Sequence, residues 1–519
     1  MSRFLKSKKS KTRKQERGIT LIALITTIIV LLILAGITIG AITGSNGIIG
    51  QAQSAKEETE ISQEKEIIDI STVESMGKNN RGNLEEEEFQ DVLNSHTNGK
   101  VEVIDIGEEF EVLFEESNRY YTVDKNGNIL DYITGVTDSY PGDITRKEDG
   151  TVLDGSEEHP YEINCIEDLV AFSNMVNKTG KVYQDGKLID AVDSKGIASG
   201  SNIILTRDLN FKSSASYIDS TRTDFGDING DAGDGNALIT EMTTGTGFPA
   251  IGKYPSNNFS TTFSGVFDGE NHSIKNLYKS GLFGNIRGSE IKNITVYGVE
   301  GVQNSSGIIE GVEWSNIGVT SIINCINYMD VKNNDRPAGI VGTSSEKTMK
   351  IINCINYGDI EGGNYGISGI LGIYKVSSGG NLEILNSCNF GNLNFPNAGI
   401  SYSGCGGIIG LNQYTSKITL INCFSTGTIS GVAVYKGNLI GHTANSQLEL
   451  INTYNIDNGF KEVGNGSYEG TVETKTLEEI KTQGFVDILN SYKDDSGNYP
   501  TDWKKWTLGE NGYPTFVEN

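Results

Sequence analysis

Five segments in the second half of the chain repeat one short pattern, and this repetition limits the possible folds more than any other feature. Each segment places an asparagine after an aliphatic residue, and most place a cysteine one or two residues later. The aligned asparagines are 29, 33, 36 and 30 residues apart, and they are Asn324, Asn353, Asn386, Asn422 and Asn452. Such a period, built from short β-type runs without helical periodicity, indicates a solenoid of stacked strands in which each turn buries its inner face against its neighbours.

A second recurring pattern is a pair of apolar residues framed by glycines, which stands between the asparagine segments. The frames are 281–284, 339–342, 369–372 and 407–410, with a degenerate version at 438–441. We expect the isoleucines and cysteines to point inward and glycine to stand where the chain turns a corner. The 64 glycines and 8 prolines among 519 residues agree with many short strands joined by tight turns.

These repeats resemble the GLUG motif of bacterial surface proteins, which form β-helical stalks. Segments that resemble those preceding such repeats lie upstream, at 159–163, 169–172, 205–210 and 263–272. The resemblance implies a mostly β fold, a right-handed parallel β-helix (β-solenoid) over residues 159–460. The motif at 511–516 resembles the usual ending of these proteins and implies a C-terminal cap, residues 461–519, over the last turn, where an open end would expose an edge strand.

The beginning of the chain combines a basic leader with a long uncharged segment. Residues 1–18 carry eight basic side chains and one acid, and no charged residue occurs from Ile19 to Ala55. About 20 apolar residues suffice to cross a bilayer as a helix, and a basic flank stays on the cytoplasmic side. The sequence therefore predicts a single membrane pass with a cytoplasmic N-terminus and an exported remainder. A plain membrane anchor is one interpretation of this segment.

The junction at 17–24 resembles the prepilin peptidase site of type IV pilins and pseudopilins. The resemblance implies cleavage after Gly18, which makes Ile19 the new first residue and a substrate for N-methylation. The family usually carries a glutamate at the fifth mature position, where it pairs with the N-terminal amine of a neighbouring subunit, and this chain has Ala23 there. The alanine indicates a minor or tip-located subunit, or one that stays in the membrane, unless related subunits tolerate alanine at this position.

Between the membrane segment and the repeats, the sequence predicts a small α+β module. Acidic and aliphatic residues at helical spacing extend the first helix to about Met76, and the acidic run 85–88 begins a second one. Alternating segments predict strands at 101–104, 111–114, 120–123 and 129–130, with an Asn-Gly hairpin between the last two. The predicted domains are a leader 1–18, a pilin-like transmembrane helix and sheet 19–133, a linker 134–158, the β-helix and the cap.

The cysteines are the first candidates for a functional cluster. Cys325, Cys354 and Cys423 share one repeat position, and Cys388 lies one residue out of register. Metal sites often use paired C-x-x-C ligands, and none occurs here. The pattern therefore indicates a row of buried thiols, with a disulfide between neighbouring turns as an alternative.

A possible calcium loop is the second candidate site. Asp227, Asn229 and Asp231 follow the alternate spacing of calcium ligands. The pattern then departs from such a loop, because Ala232 and Leu238 stand where glycine and a bidentate glutamate belong. An exposed, turn-rich insertion is the favoured interpretation, with calcium as the alternative, and no other cofactor is predicted.

The sequence gives little support to catalysis, and we predict that the chain is not an enzyme. The four histidines lie in separate segments, without a G-x-S-x-G nucleophile motif. A tethered carbohydrate-active β-helix remains an alternative, with Asp268 or Asp359 supplying carboxylates, although both residues also fit turns.

The predicted function is that of a surface-exposed type IV pilin-like minor subunit or adhesin, located in the cell membrane and at the cell surface or in a pilus. Its β-helix would bind another surface, a glycan or a protein, and its other predicted partners are the membrane, the prepilin peptidase and pilin-like subunits. A structural pseudopilin of a secretion or DNA-uptake system is the alternative. The net charge of −25 argues against nucleic acid as a ligand, because phosphates would be repelled.

Overall fold

The structure, a computed structural model, describes residues 48–79, 83–136, 143–147, 150–185, 187–218, 238–254, 260–315, 318–377, 379–396, 401–444, 446–457 and 459–517. The chain divides into two compact units. The first contains the residues up to 116 together with 121–131, and the second contains 117–120 and the residues from 132 onward. Most of the regular structure is β-strand, and the largest sheets are parallel, which confirms a mostly β fold.

The first unit combines two helices with a small sheet, in agreement with the predicted α+β pattern. The elements before residue 135 are α1 (described over Ile48–Asn79), α2 (Glu86–Thr97), β1 (Val101–Asp105), β2 (Glu109–Phe114), β3 (Arg119–Asp124) and β4 (Ile129–Thr134), with the strands in the order β1-β2-β3-β4. One side of α2 is buried through Phe89, Val92 and Leu93, at helical spacing. The Tyr121 hydroxyl donates a buried 2.7 Å hydrogen bond to the Glu64 carboxylate on α1, which ties helix and sheet together.

The predicted membrane pass falls outside the described residues. Its apolar part, residues 19–42, precedes the first described residue at position 48. Among the residues that the structure describes, no helix is both long and apolar enough to cross a bilayer. The predicted polar extension of the first helix to about Met76 is confirmed, because α1 continues to Asn79.

The second unit begins with a buried helix among short strands. The elements are β5 (Tyr161–Ile163), α3 (Ile166–Asn177), β6 (Lys181–Gln184), β7 (Lys187–Asp190), β8 (Asn202–Leu205), β9 (Leu209–Asn210) and α4 (Leu238–Thr243), with 3-10 turns at Ala191–Asp193 and Ser214–Ser216. All twelve residues of α3 are buried. Its Phe172 ring lies 5.4 Å from the ring of Phe263 and 6.2 Å from that of Phe267. The helix therefore forms part of the hydrophobic core at the end of the largest sheet where β5 is the last strand.

Residues 266–475, here called the repeat stack, form parallel sheets to which successive repeats contribute successive strands. The largest sheet contains β10 (Val266–Asp268), β11 (Ser273–Leu277), β13 (Glu290–Gly298), β15 (Thr320–Asn327), β18 (Thr348–Ile352), β19 (Ile355–Asn356), β23 (Gly380–Leu385), β24 (Cys388–Asn389), β28 (Ser416–Ile421), β29 (Phe424–Ser425), β33 (Gln447–Ile456) and β35 (Glu469–Lys475). A second sheet contains β12 (Phe283–Ile286), β14 (Ile309–Val312), β17 (Val341–Ser344), β22 (Leu371–Tyr374), β27 (Ile409–Asn412), β32 (Ile440–Thr443) and β34 (Val463–Asn465). Two smaller sheets contain β16 (Val331–Asn333), β20 (Ile360–Gly362), β25 (Leu393–Phe395) and β30 (Ile429–Gly431), and β21 (Gly366–Ile367), β26 (Gly404–Gly406) and β31 (Tyr435–Gly437).

Equivalent residues of successive repeats lie side by side in these sheets. Ile322, Ile351, Ile384, Leu420 and Leu450 form one continuous row across β15, β18, β23, β28 and β33. All five side chains are fully buried. The predicted inward rows of aliphatic side chains are therefore confirmed. Each repeat buries its apolar face against the next, so the core grows by stacking.

The first glycine of each frame provides space rather than a special backbone conformation. A Cβ on Gly369 would lie 2.1 Å from Oδ1 of Asn389, which is fully buried. A Cβ on Gly339 would lie 2.0 Å from Oδ1 of Asn356. Gly431, in contrast, has a φ of 88°, a conformation that favours glycine. The prediction that glycine marks corners thus applies to positions such as Gly431, whereas the frame glycines mark close packing.

The tail, residues 477–516, packs along the side of the repeat stack. It comprises α5 (Leu477–Ile480), α6 (Gln483–Asn490) and an antiparallel pair, β36 (Trp506–Leu508) and β37 (Pro514–Phe516). Phe485, Val486 and Leu489 of α6 are buried in one cluster with residues of four successive repeats, Ile355, Cys388, Phe424 and Tyr454. Of the predicted cap 461–519, β34 and β35 continue the sheets beyond β32 and β33, whereas the motif at 511–516 lies against the side of the repeat stack and not over its last turn. The last strand, β35, is exposed at five of its seven residues, and its charged side chains discourage pairing at that edge.

Candidate functional site

One asparagine in each repeat adopts the left-handed backbone conformation, and these side chains form a ladder. The φ values lie between 49° and 57° at Asn293, Asn324, Asn353, Asn386, Asn422 and Asn452. Asparagine tolerates this conformation better than most residues do. From Asn324 onward, each Nδ2 donates a hydrogen bond to Oδ1 of the preceding asparagine, at 2.6–2.7 Å. We call this row the outer ladder.

An aromatic side chain follows four residues after each of the first four asparagines of the outer ladder. The rings of Tyr297, Tyr328 and Tyr357 are nearly parallel, with centroids 4.5 Å apart, and Phe390 continues the row at 5.0 Å. Aromatic pairs of this kind contribute about 0.5–1.5 kcal/mol beyond the area they bury. The outer ladder and this aromatic row together are called the ladder face.

A second row of asparagines, the inner ladder, lies three residues after the outer one. Asn327 donates to Asn356 and Asn356 donates to Asn389, both at 2.8 Å, and Asn389 donates to the Ser425 hydroxyl at 3.1 Å. The three asparagines are fully buried. Burying a carboxamide is unfavourable unless its polar atoms are hydrogen-bonded, and the ladder supplies those bonds. The inner ladder therefore stabilises the repeat stack and is not accessible to a ligand.

The tail occupies part of the ladder face through hydrogen bonds to its main chain. Asn353 Nδ2 donates to the carbonyl oxygen of Asp502 at 2.8 Å, and its Oδ1 accepts from the amide nitrogen of Lys504 at 3.1 Å. Asn386 Nδ2 donates to the carbonyl oxygen of Lys504 at 3.0 Å. The indole nitrogen of Trp506 donates to Asn386 Oδ1 at 2.6 Å. The outer ladder thus binds a polypeptide segment.

The ladder face continues beyond the tail at the first two repeats. Asn293 and Asn324 are half-buried there, whereas the asparagines beneath the tail are fully buried. Tyr328 is 40% exposed, and Tyr297 is half-buried. We call the surface formed by these four residues the open end. It presents carboxamides and tyrosine edges in the arrangement that holds the tail, and it is our candidate binding site.

The sequence-predicted processing and calcium sites lie outside the described residues. These are Gly18 and Ile19 at the cleavage junction, and Asp227, Asn229 and Asp231 in the acidic stretch. Both sites therefore stay predictions. Within the described part of the chain, no cluster of three or more His, Cys, Asp or Glu side chains could hold a metal ion.

The six cysteines all lie within the described residues and are buried, which confirms the predicted burial of the thiols. All six are free, so none of them forms a disulfide. Cys325, Cys354 and Cys423 belong to the main core, whereas Cys388 lies in the cluster beneath the tail. A shift of one position along a strand places a side chain on its opposite face, which explains this separation. Burial raises the pKa of the Cys423 thiol to about 12, so this thiol is unreactive at neutral pH.

Asp268 and Asp359, the two candidate catalytic carboxylates, form hydrogen bonds within turns of the repeat stack. Asp268 Oδ1 accepts from Asn293 Nδ2 at 2.8 Å, and Asp359 Oδ1 accepts from the amide nitrogen of Asn392 at 2.7 Å. Two histidines have similar local partners: His272 lies 3.4 Å from Asp208, and His442 lies 2.8 Å from the side-chain nitrogen of Asn465. These contacts account for the residues without a reacting substrate.

The two ladders and the open end do not follow from the repeat alignment alone. The aligned asparagines mark a period, but the period does not show that their side chains hydrogen-bond to each other. A more detailed pattern in the sequence does indicate the two ladders. Each of the segments 324–328, 353–357 and 386–390 begins with an asparagine, has a second asparagine at its fourth position and ends with an aromatic residue. Polar and aromatic residues at constant spacing in a parallel stack must lie above one another.

No family model and no curated protein matches the chain. Among solved structures, the chain is similar to a crystal structure of a "putative immunoglobulin A1 protease" from Bacteroides ovatus. The match covers 73% of this chain and 98% of that chain, with 20% sequence identity and a TM-score of 0.43. Similarity at this level assigns neither a family nor an activity to the chain.

Proposed function

We propose that this chain is a surface-exposed, type IV pilin-like minor subunit or adhesin that displays the repeat stack as a right-handed parallel β-helix. The observation that carries the proposal is the ladder face, a periodic row of carboxamides and aromatic rings with an exposed end. Stacked repeats present rigid, repetitive surfaces, and such surfaces suit binding to another surface, a glycan or a protein.

The beginning of the chain supports delivery of the repeat stack to the cell exterior. The basic leader and the uncharged segment after it favour a single membrane pass with a cytoplasmic N-terminus. The junction at Gly18 and Ile19 favours processing by a prepilin peptidase and association with other pilin-like subunits. Ala23 favours a minor position, because the glutamate that contacts a neighbouring subunit's amine in the family is replaced.

Binding, and not catalysis, is the activity that we propose. The carboxylates of Asp268 and Asp359 are held by hydrogen bonds within turns. The exposed polar groups of the open end are neutral carboxamides and phenols, which recognise a ligand by hydrogen bonding and stacking.

N-terminal sequencing and intact-mass measurement test the proposal directly. The protein is isolated from sheared surface filaments and from membranes of cells with and without the prepilin peptidase. We expect a chain that begins at Ile19 in filaments, only when the peptidase is present. A Gly18→Val variant is the matched control and should retain its leader. A chain that begins at Met1 and is found only in membranes would contradict the proposal and leave an anchored surface protein.

A further inference from the structure

The tail shows what kind of ligand the outer ladder binds. The Asn353 carboxamide donates to the carbonyl of Asp502 and accepts from the amide of Lys504, so it pairs with the two main-chain groups that flank residue 503. A neighbouring β-strand offers main-chain groups in the same way. This recognition requires a peptide backbone, with one donor and one acceptor at the right separation. A neutral hexose glycan has hydroxyl groups and no amides, and an N-acetylated glycan carries side acetamido groups rather than a main-chain carbonyl and amide that flank one residue.

Asn324 in the open end is placed to act as Asn353 does. Both residues have a φ of 54°, and each donates one ladder hydrogen bond of 2.7 Å to the preceding asparagine. A carboxamide nitrogen carries two hydrogens, and the second one of Asn353 goes to the tail. In the described part of the chain, the second Nδ2 hydrogen of Asn324 has no main-chain acceptor of this kind. The main-chain carbonyl of a bound polypeptide would be such an acceptor.

The aromatic row gives the open end a second element of recognition. Where the tail is bound, Tyr513 packs edge-on against Phe390, with ring centroids 5.1 Å apart. Tyr297 and Tyr328 continue the same row, and Tyr328 is 40% exposed. An aromatic side chain of a second polypeptide can therefore pack against the tyrosine edges as Tyr513 packs against Phe390.

Charged side chains of both signs lie beside the open end, because Lys275 of β11 follows Ile274, the partner of Val296, and so stands beside Tyr297. Three acids, Glu290, Glu300 and Asp330, lie within three positions in the sequence of an open-end residue. The single base in these windows, Lys292, has its amine 3.0 Å from the Glu290 carboxylate and 3.4 Å from that of Asp268.

We propose that the open end binds an aromatic-bearing segment of a partner polypeptide in the manner in which the covered part binds the tail. The inference rests on the proposed function and makes it more specific, because it assigns a polypeptide rather than a glycan as the ligand. Its elements are the carboxamide of Asn324 and the edges of Tyr297 and Tyr328. The occupied half of the same face is its structural precedent.

A peptide with the sequence of residues 499–516, which includes both the main-chain groups around residue 503 and Tyr513, is the probe for this site. Labelled with fluorescein, it is titrated against the full chain, and binding is followed by fluorescence anisotropy. We expect saturable binding that a Tyr328→Ala variant weakens about tenfold, as loss of an aromatic contact predicts. Tyr414→Ala is the matched control, because Tyr414 is similarly exposed, at 43%, but follows β27 in another sheet.

Hydrogen exchange locates the bound peptide without any substitution. We expect added protection in segments 290–298 and 320–328, which carry the open end. Protection confined to 353–390 would show displacement of the tail instead and overturn the proposal. So would no binding at millimolar peptide, or equal binding by the Tyr328→Ala variant.

Glycan binding is a separate outcome with a separate meaning. Protection of 290–298 and 320–328 by cellohexaose or chitohexaose, without protection by the peptide, would overturn the polypeptide assignment and leave the adhesin proposal intact. Conversely, an unprocessed N-terminus would contradict the pilin-like proposal while leaving peptide binding at the open end unaffected. The two experiments therefore fail independently.

Discussion

Replacing Gly369 with alanine tests the role of the inner ladder. The added Cβ would lie 2.1 Å from Oδ1 and 2.2 Å from Cγ of Asn389. Asn389 is fully buried, and its carboxamide accepts from Asn356 and donates to Gly391 and Ser425. The new methyl group would displace this side chain, and each buried polar group left without a partner costs about 1–3 kcal/mol. With three bonds affected, we expect the free energy of unfolding of the repeat stack to fall by about 3–5 kcal/mol.

Urea denaturation followed by far-ultraviolet circular dichroism measures this change, because strands dominate the signal of the repeat stack. Gly298→Ala is the matched control. Gly298, like Gly369, has no positive φ, but its added Cβ would meet Met329 at an ordinary contact distance of 3.4 Å. If Gly369→Ala were within about 0.5 kcal/mol of this control, the inner ladder would not hold the repeats together and the reasoning would be refuted.

Three further predictions concern the tail, a histidine and the thiols. Trp506→Phe removes the indole donor to Asn386, and we expect a loss of about 1–2 kcal/mol, measured as earlier release of the tail in limited proteolysis. Burial lowers the pKa of His442 from its usual 6.5, because the folded protein favours the neutral imidazole. The stabilising effect of the neutral imidazole is therefore fully present above pH 6.5 and is lost as the pH falls through the lowered pKa. The unfolding midpoint of His442→Gln, whose side chain does not titrate, should therefore decline less between pH 7 and pH 5 than that of the unchanged protein. The thiols, including Cys423, are buried, so iodoacetamide at pH 8 should label none in the folded chain and all six in urea, by intact mass.

The sequence predicts the stacking of the repeats well because stacking depends on local spacing. An aliphatic residue that recurs at one position, such as Ile351 and Ile384, must share a row with its equivalents once the period is constant. The same argument places Cys325, Cys354 and Cys423 on the inward face of their strands. It places Cys388, one position further along its strand, on the opposite face. Residues 48–79 and the first small sheet are predictable because helical and alternating patterns are also local.

The position of the tail is beyond this kind of argument. Its hydrogen bonds to Asn353 and Asn386 join residues 149 and 118 positions apart, and no periodic pattern connects the two regions. The tail sequence has its own local signals, such as the capping box at Thr476 and Glu479, which predict a helix but not the surface it covers. The open end cannot be predicted from the sequence either, because it is the part of the ladder face that the tail does not cover.

One departure from the repeat pattern can be explained by the tail. Cys388 occupies the strand position that Ile355 has in the preceding repeat, and both side chains face the tail. Trp506, in the same cluster, reaches Asn386 within the repeat that carries Cys388. We therefore expect a larger side chain at 388 to overfill this packed cluster, at a cost of about 1–3 kcal/mol.

Cys388→Ile is accordingly expected to loosen the tail while leaving the repeat stack folded. Limited proteolysis should remove the tail faster, and the urea midpoint measured by circular dichroism should change little, because the main core is untouched. Cys354→Val is the matched control, since Cys354 belongs to the main core rather than to the tail cluster, and it should leave tail cleavage unchanged. Equal rates of tail cleavage in the Cys388→Ile variant and the unchanged protein would mean that the cysteine does not make room for Trp506. In that case, the offset of Cys388 would need another explanation.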